Sequence, residues 1–222
     1  MKGFSMGRSP ALLIGLLRVS LLVAALAAAA GQASASDAGK TVLVVGNSIS
    51  AAYGLQTGKG ERGWVELLQE RLGARHRVVN ASISGDTTVG GLARLPKTLA
   101  THKPDIVVIE LGGNDGLRGY PVPSIRANLL AMTRAVLAAG ARPVLAGMQM
   151  TPNLGPRYTQ AFRRMYPDVA AGTGAALVPF ILEGVALDED LMQRDGIHPN
   201  AEAQPLLLDN VWPVLEPLLE AD

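Results

Sequence analysis

Residues 41–47 read Thr41-Val42-Leu43-Val44-Val45-Gly46-Asn47, and the reading of the fold turns on them. The stretch 41–45 is short, β-branched and apolar, and glycine and asparagine close it. Such a run describes a strand buried on both faces, because a strand with one wet face alternates and a buried helix runs longer. Four more brief and mostly apolar stretches follow at 77–80 (RVVN), 105–111 (DIVVIEL), 143–147 (PVLAG) and 176–179 (ALVP). Between them, apolar residues recur at helical spacing: Trp64, Leu67, Leu68 and Leu72, then Ile125, Leu129, Leu130, Met132, Val136 and Leu137. Gly140 follows the second group where a helix C-terminal glycine belongs. This alternation predicts an α/β fold with a five-stranded parallel sheet between layers of helices. The segment 200–219 has helical periodicity but carries Pro205, Pro213 and Pro217. An internal proline costs ~3 kcal/mol, so a kinked or broken helix is expected there.

The chain has 222 residues, the size of one domain. Hydrophobic residues make up 48% and charged residues 18%, with a mean hydropathy of +0.23, which supplies enough apolar surface for a packed core. There is no cysteine, so disulfides, thiol nucleophiles and cysteine-bound zinc are excluded. The three histidines, His76, His102 and His198, are too scattered to suggest a metal site.

Residues 1–35 read as an export leader. Lys2 and Arg8 precede an apolar run that Arg18 interrupts, and Ala33-Ser34-Ala35 supplies the small-residue cleavage pattern. The pieces on either side of Arg18 fall short of the ~20 apolar residues a membrane anchor needs. Cleavage is expected after Ala35, leaving a single domain over 36–222, a periplasmic or secreted location and no integral membrane segment. The processed chain carries 17 Lys and Arg against 19 Asp and Glu, a formal charge of −2. It has no basic stripe with interleaved aromatics, so nucleic acid is not an expected partner.

Ligands of such a sheet sit beyond the carboxyl ends of its strands. After the first strand comes Gly46-Asn47-Ser48-Ile49-Ser50, where a serine at a strand-to-helix junction exposes its hydroxyl near backbone N–H groups. Taken alone, such a serine is more often a helix cap, and G-x-S-x-S lacks the second glycine of the G-x-S-x-G elbow. After the second strand, Gly85 permits close backbone approach to a ligand and Thr87 suits a helix cap. After the third, Gly112-Gly113-Asn114 has no phosphate-loop lysine, but an asparagine amide is a good donor to an oxyanion. Near the C-terminus, Asp195-Gly196-Ile197-His198 lets the carboxylate reach Nδ1 while Nε2 faces outward, as a general base requires; a plain loop ion pair is the alternative. All of these groups fall at strand ends or in terminal loops.

VLVVGNSISAAYGL, NASISGDTTVGGLARLP, VIELGGNDGLRG and DGIHPNAEAQP resemble the successive blocks of the SGNH hydrolases, also called the GDSL family. The resemblance runs from Thr41 to about Leu219 and is closest to the family's bacterial periplasmic multifunctional acyl-CoA thioesterase and lysophospholipase branch. It implies a three-layer α/β/α flavodoxin-like fold without a lid domain, and hydrolysis of esters and thioesters without a cofactor. Carried over by position, it implies Ser48 as nucleophile and His198 as base, oriented by Asp195. The N–H groups of Ser48 and Gly85 and the Asn114 amide would form the oxyanion hole. The family usually has aspartate before the nucleophile, and this chain has Asn47. The expected substrates are small-molecule acyl esters and thioesters, including lysophospholipids and aryl esters. The alternatives are a carbohydrate or aryl ester deacetylase on the same scaffold, or a non-catalytic acyl-chain or glycan binder.

Overall fold

The strand at 41–45 lies at the centre of the sheet. A computed structural model describes residues 1–3 and 39–221, and Gly39–Ala221 forms one unit. The expected leader, apart from residues 1–3, lies outside the described residues, as does the Ala35 cleavage site. β1 (Thr41–Gly46) is flanked by β2 (Arg77–Asn80) and β3 (Ile106–Glu110), with β4 (Arg142–Ala146) and β5 (Ala176–Val178) beyond β3. Every pairing is parallel and the spatial order is β2-β1-β3-β4-β5. This is the flavodoxin-like order, whose direction of winding reverses between β1 and β3. Val42 to Val45 and all of β3 are buried, as strands covered on both faces must be.

Helix α1 (Trp64–Leu72) packs with the C-terminal helix on one side of the sheet. On the other, α2 (Thr88–His102) packs on α4 (Val122–Ala138), and α4 on α5 (Pro156–Thr173); a short α3 (Gly113–Leu117) follows β3. The three layers match the expected architecture. Gly140, at φ +80°, ends α4 in a Schellman arrangement: Gly140 N–H donates to Leu137 O at 3.0 Å and Ala141 N–H to Val136 O at 3.1 Å.

The C-terminal segment is not broken, for α6 (Gln204–Glu220) runs on as one helix with Pro213 and Pro217 inside it. Pro205 lies in its first turn, where no intrahelical N–H is needed. Pro213 and Pro217 are exposed, four residues apart on one water-facing side, while Leu207, Leu208, Val211, Leu215 and Leu219 form the buried side. The carbonyls these prolines leave without donors belong to the exposed side of the helix rather than to its packed side, and the helix continues past both. Pro96 in α2 and Pro167 in α5 are exposed in the same way. These breakers also hid α5, which the sequence reading did not anticipate, although Phe162, Met165, Tyr166 and Val169 make a buried helical stripe.

Candidate active site

Gly46 and Glu110 are register partners at the ends of β1 and β3, so the segments leaving both strands meet over one point of the sheet. Residues after β1 do not enter a helix, contrary to expectation. They form successive turns, with Ala51 N–H donating to Asn47 O at 2.9 Å and Tyr53 N–H to Ser48 O at 3.1 Å. Ala52 and Gly54, at φ +55° and +77°, adopt left-handed backbone that stops a right-handed helix from propagating.

The Ser48 hydroxyl lies 2.9 Å from His198 Nε2, and His198 Nδ1 lies 2.6 Å from Asp195 Oδ2. A carboxylate only accepts, so Nδ1 carries the proton and Nε2 presents its lone pair to the serine O–H. Gly196, at φ +66°, turns the chain so that Asp195 Oδ1 also accepts the N–H groups of Ile197 and His198 at 2.9 and 3.0 Å. Burial works to raise the Asp195 carboxyl, but the hydrogen bonds from the His198 ring and the two backbone donors outweigh it and hold the group at about 2. Asp195 is therefore charged across the neutral range.

Gln193 fastens this loop to the serine turn. Its N–H donates to His198 O at 2.7 Å, and its side-chain amide donates to Tyr53 O and Pro199 O at 2.8 and 2.9 Å. The Tyr53 ring lies 4.6 Å from the imidazole, centroid to centroid.

The loop after β2 is pinned to β1 by Ile83 N–H donating to Gly46 O at 3.0 Å. Among the described residues, the N–H groups of Ser48 and Gly85 have no protein acceptor. Asn114 Nδ2 donates to Asp86 O at 3.0 Å, which joins α3 to the Gly85 loop. Thr87 caps α2 as expected, its side chain accepting from Gly90 N–H. The buried Asp115 sets the height of α3 by accepting Thr88 N–H at 2.9 Å and Thr88 Oγ1–H at 2.6 Å. Gly112 is required as glycine: its φ is +113°, and a Cβ there would stand 2.5 Å from the Tyr166 hydroxyl.

The five residues singled out from the sequence, Ser48, Gly85, Asn114, Asp195 and His198, thus all gather at the carboxyl end of the sheet. An apolar cavity of about 130 Å³ opens beside them, with Ile49, Leu117, Met148, Met150, Phe180 and Ile197 in its lining. Among the described residues, no group of three or more His, Asp or Glu is placed to hold a metal ion, and no helix is long and apolar enough to cross a membrane.

Glu110 was missed by the sequence reading. It is fully buried and accepts from Asn47 N–H at 3.1 Å, Asn47 Nδ2 at 2.7 Å, Ser50 N–H at 3.3 Å and Ser50 Oγ–H at 2.7 Å. Trp64 Nε1–H in turn donates to Ser50 Oγ at 3.2 Å. Burial pushes the Glu110 carboxyl up to about 7, against the pull of the hydrogen bonds from Ser50 and Asn47. The signal available was a carboxylate in an otherwise apolar strand, which must find donors if it is to be buried.

The family model of the GDSL-like Lipase/Acylhydrolase family matches residues 44–205. "Esterase TesA" of Pseudomonas aeruginosa is 59% identical over 185 residues, covering 82% of this chain and 90% of that protein. "Thioesterase 1/protease 1/lysophospholipase L1" of Escherichia coli is 42% identical over 191 residues, covering 86% of this chain and 89% of that protein. Among solved structures, the psychrotrophic esterase EstA from Pseudoalteromonas sp., inhibited by monoethylphosphonate, superimposes with a TM-score of 0.76 at 41% identity, covering 82% of this chain and all of that one.

Proposed function

The chain belongs to the GDSL-like lipase/acylhydrolase family, and from that footing we propose that Ser48 is its nucleophile, His198 its general base and Asp195 the group that orients the base. The protein is a serine hydrolase of carboxylic esters and thioesters, in keeping with relatives named esterase and thioesterase/lysophospholipase. The observation that carries the assignment of roles is the unbroken link Ser48 Oγ to His198 Nε2 at 2.9 Å and His198 Nδ1 to Asp195 at 2.6 Å. Ser48 Oγ attacks the acyl carbonyl while its proton passes to Nε2, and the leaving alcohol or thiol takes that proton back. Water then attacks the acyl-serine by the same route. The free N–H groups of Ser48 and Gly85 and the Asn114 amide receive the oxyanion, each lowering the barrier by roughly 3 to 4 kcal/mol.

The cavity favours an acyl chain over the sugar of a carbohydrate deacetylase, because methionine, phenylalanine, leucine and isoleucine line it beside the serine. Comparison of acetyl, octanoyl and palmitoyl p-nitrophenyl esters tests this. The octanoyl ester is expected to give a kcat/KM roughly tenfold or more above the acetyl ester, since each added buried CH₂ contributes ~0.8 kcal/mol. A preference for acetyl would support the deacetylase reading instead.

Export to the periplasm or beyond follows from residues 1–35. Intact-mass analysis of the exported protein is expected to find Ser36 at its N-terminus. A full-length cytoplasmic product would contradict it.

A further inference from the structure

Glu110 has no part in the proton route above, yet four donors converge on it from the turn that bears Ser48. Gly46 makes room for it, since a Cβ at that position would stand 2.6 Å from Glu110 Oε2 and 2.8 Å from Ser50 Cβ. The donor and acceptor roles in this cluster are fixed by chemistry. Asn47 Oδ1 accepts Ile49 N–H at 3.0 Å, so the other end of the amide, Nδ2, faces Glu110 and donates both to Oε1 at 2.7 Å and to the Glu110 carbonyl at 3.3 Å. Oε2 receives two backbone N–H groups, which cannot accept.

We infer that Glu110 and Asn47 form a complementary acceptor–donor pair that positions the Ser48 turn, Glu110 serving as a positioning residue through Asn47 and Ser50. The inference rests on Ser48 being the nucleophile. It also accounts for asparagine where the family usually has aspartate. A buried carboxylate is matched by the donor end of an amide at 47, whereas an aspartate there would have to share one proton with Glu110. The raised Glu110 carboxyl makes that proton available.

Four combinations at the two positions separate this reading from a merely structural one. In Glu110→Gln, no orientation of the two amides avoids a donor facing a donor. With the carbonyl of the introduced glutamine toward the backbone N–H groups, its NH₂ meets the Asn47 NH₂. Flipping Asn47 turns its NH₂ on the Ile49 N–H, and flipping the introduced amide turns its NH₂ on the Asn47 and Ser50 N–H groups. In Asn47→Asp with Glu110→Gln, the aspartate accepts both Ile49 N–H and the NH₂ of the introduced glutamine, so the charge moves by one hydrogen bond and the pairing returns. Asn47→Asp alone pairs through the shared proton.

The experiment measures kcat and KM for a medium-chain p-nitrophenyl ester, fluorophosphonate labelling rate and Tm for the parent, E110Q, N47D, N47D/E110Q and S48A. E110Q is expected to lose roughly ten- to a hundredfold in kcat and in labelling rate with KM changed less than about threefold, the loss that an unsatisfied buried donor brings to the turn. N47D and N47D/E110Q are each expected within about tenfold of the parent in kcat. Parent-like kcat in E110Q, or a double variant no more active than E110Q, overturns the inference. Should E110Q fail to fold, a folded and active double variant supports the inference, and a double variant that also fails to fold overturns it. S48A distinguishes the two levels of the argument: if it stays active and labelled, the nucleophile assignment falls, whereas a dead S48A beside a parent-like E110Q removes only the Glu110 role.

Discussion

Ser48→Ala is expected to lower kcat by roughly 10⁵- to 10⁶-fold, about 7 to 8 kcal/mol of barrier, and to abolish covalent labelling by a fluorophosphonate. The size follows from the change of mechanism. Without the hydroxyl no acyl-enzyme forms, and any residual rate comes from water attacking a carbonyl held by the oxyanion donors alone. The substitution removes one oxygen whose main partner is His198 Nε2 and leaves the turn's hydrogen bonds to Glu110 in place, so Tm should move little. Ester hydrolysis by the purified variant, intact mass after labelling and a thermal melt give the three readouts. Near-parental turnover would sink the assignment of Ser48, and a collapsed melt would shift the cause from chemistry to folding.

Asn114→Ala is expected to lower kcat by about a hundredfold or more, close to 3 kcal/mol, with a much smaller change in KM. A neutral carbonyl gains little from one more donor, and the negative charge that develops on its oxygen gains a great deal. The resting bond from Asn114 Nδ2 to Asp86 O also indicates that the amide is already aimed at the Gly85 loop. Asp115 continues to hold α3 against Thr88, so the helix should stay in place when the side chain is shortened. Saturation kinetics with an ester and a thioester check the prediction. An effect confined to KM would make Asn114 a substrate-positioning group.

The sheet was legible because β1 and β3 are buried on both faces and so are written almost wholly in apolar residues. Their ends were then off by only a residue or two. Helices with internal proline were harder, since Pro167, Pro213 and Pro217 count against a helix locally and only the tertiary structure reveals that each faces water. Ser48, Asp195 and His198 were legible in part from local chemistry: the three-residue spacing in Asp195-Gly196-Ile197-His198 states the acid–imidazole contact outright. The partnership of His198 with a serine 150 residues away depends on topology, and it was the resemblance of four successive blocks that joined them. Gln193, Asp115 and Glu110 carried too little local signal. Their contacts cross between loops whose approach is set by strand register, and the glutamate in DIVVIEL names no partner by itself.

The bond from the Trp64 indole to Ser50 gives the enzyme an optical probe of its own machinery. Trp64 is fully buried and touches the same hydroxyl that Glu110 accepts from, whereas Trp212, the other tryptophan in the chain, lies half-buried under the Arg71 guanidinium on α6. Emission from Trp64 therefore reads the polarity and hydrogen bonding of the serine turn directly. In a background with Trp212 replaced by phenylalanine, the molecule becomes a single-fluorophore sensor, in which slackening of the turn registers as a wavelength shift with no label attached.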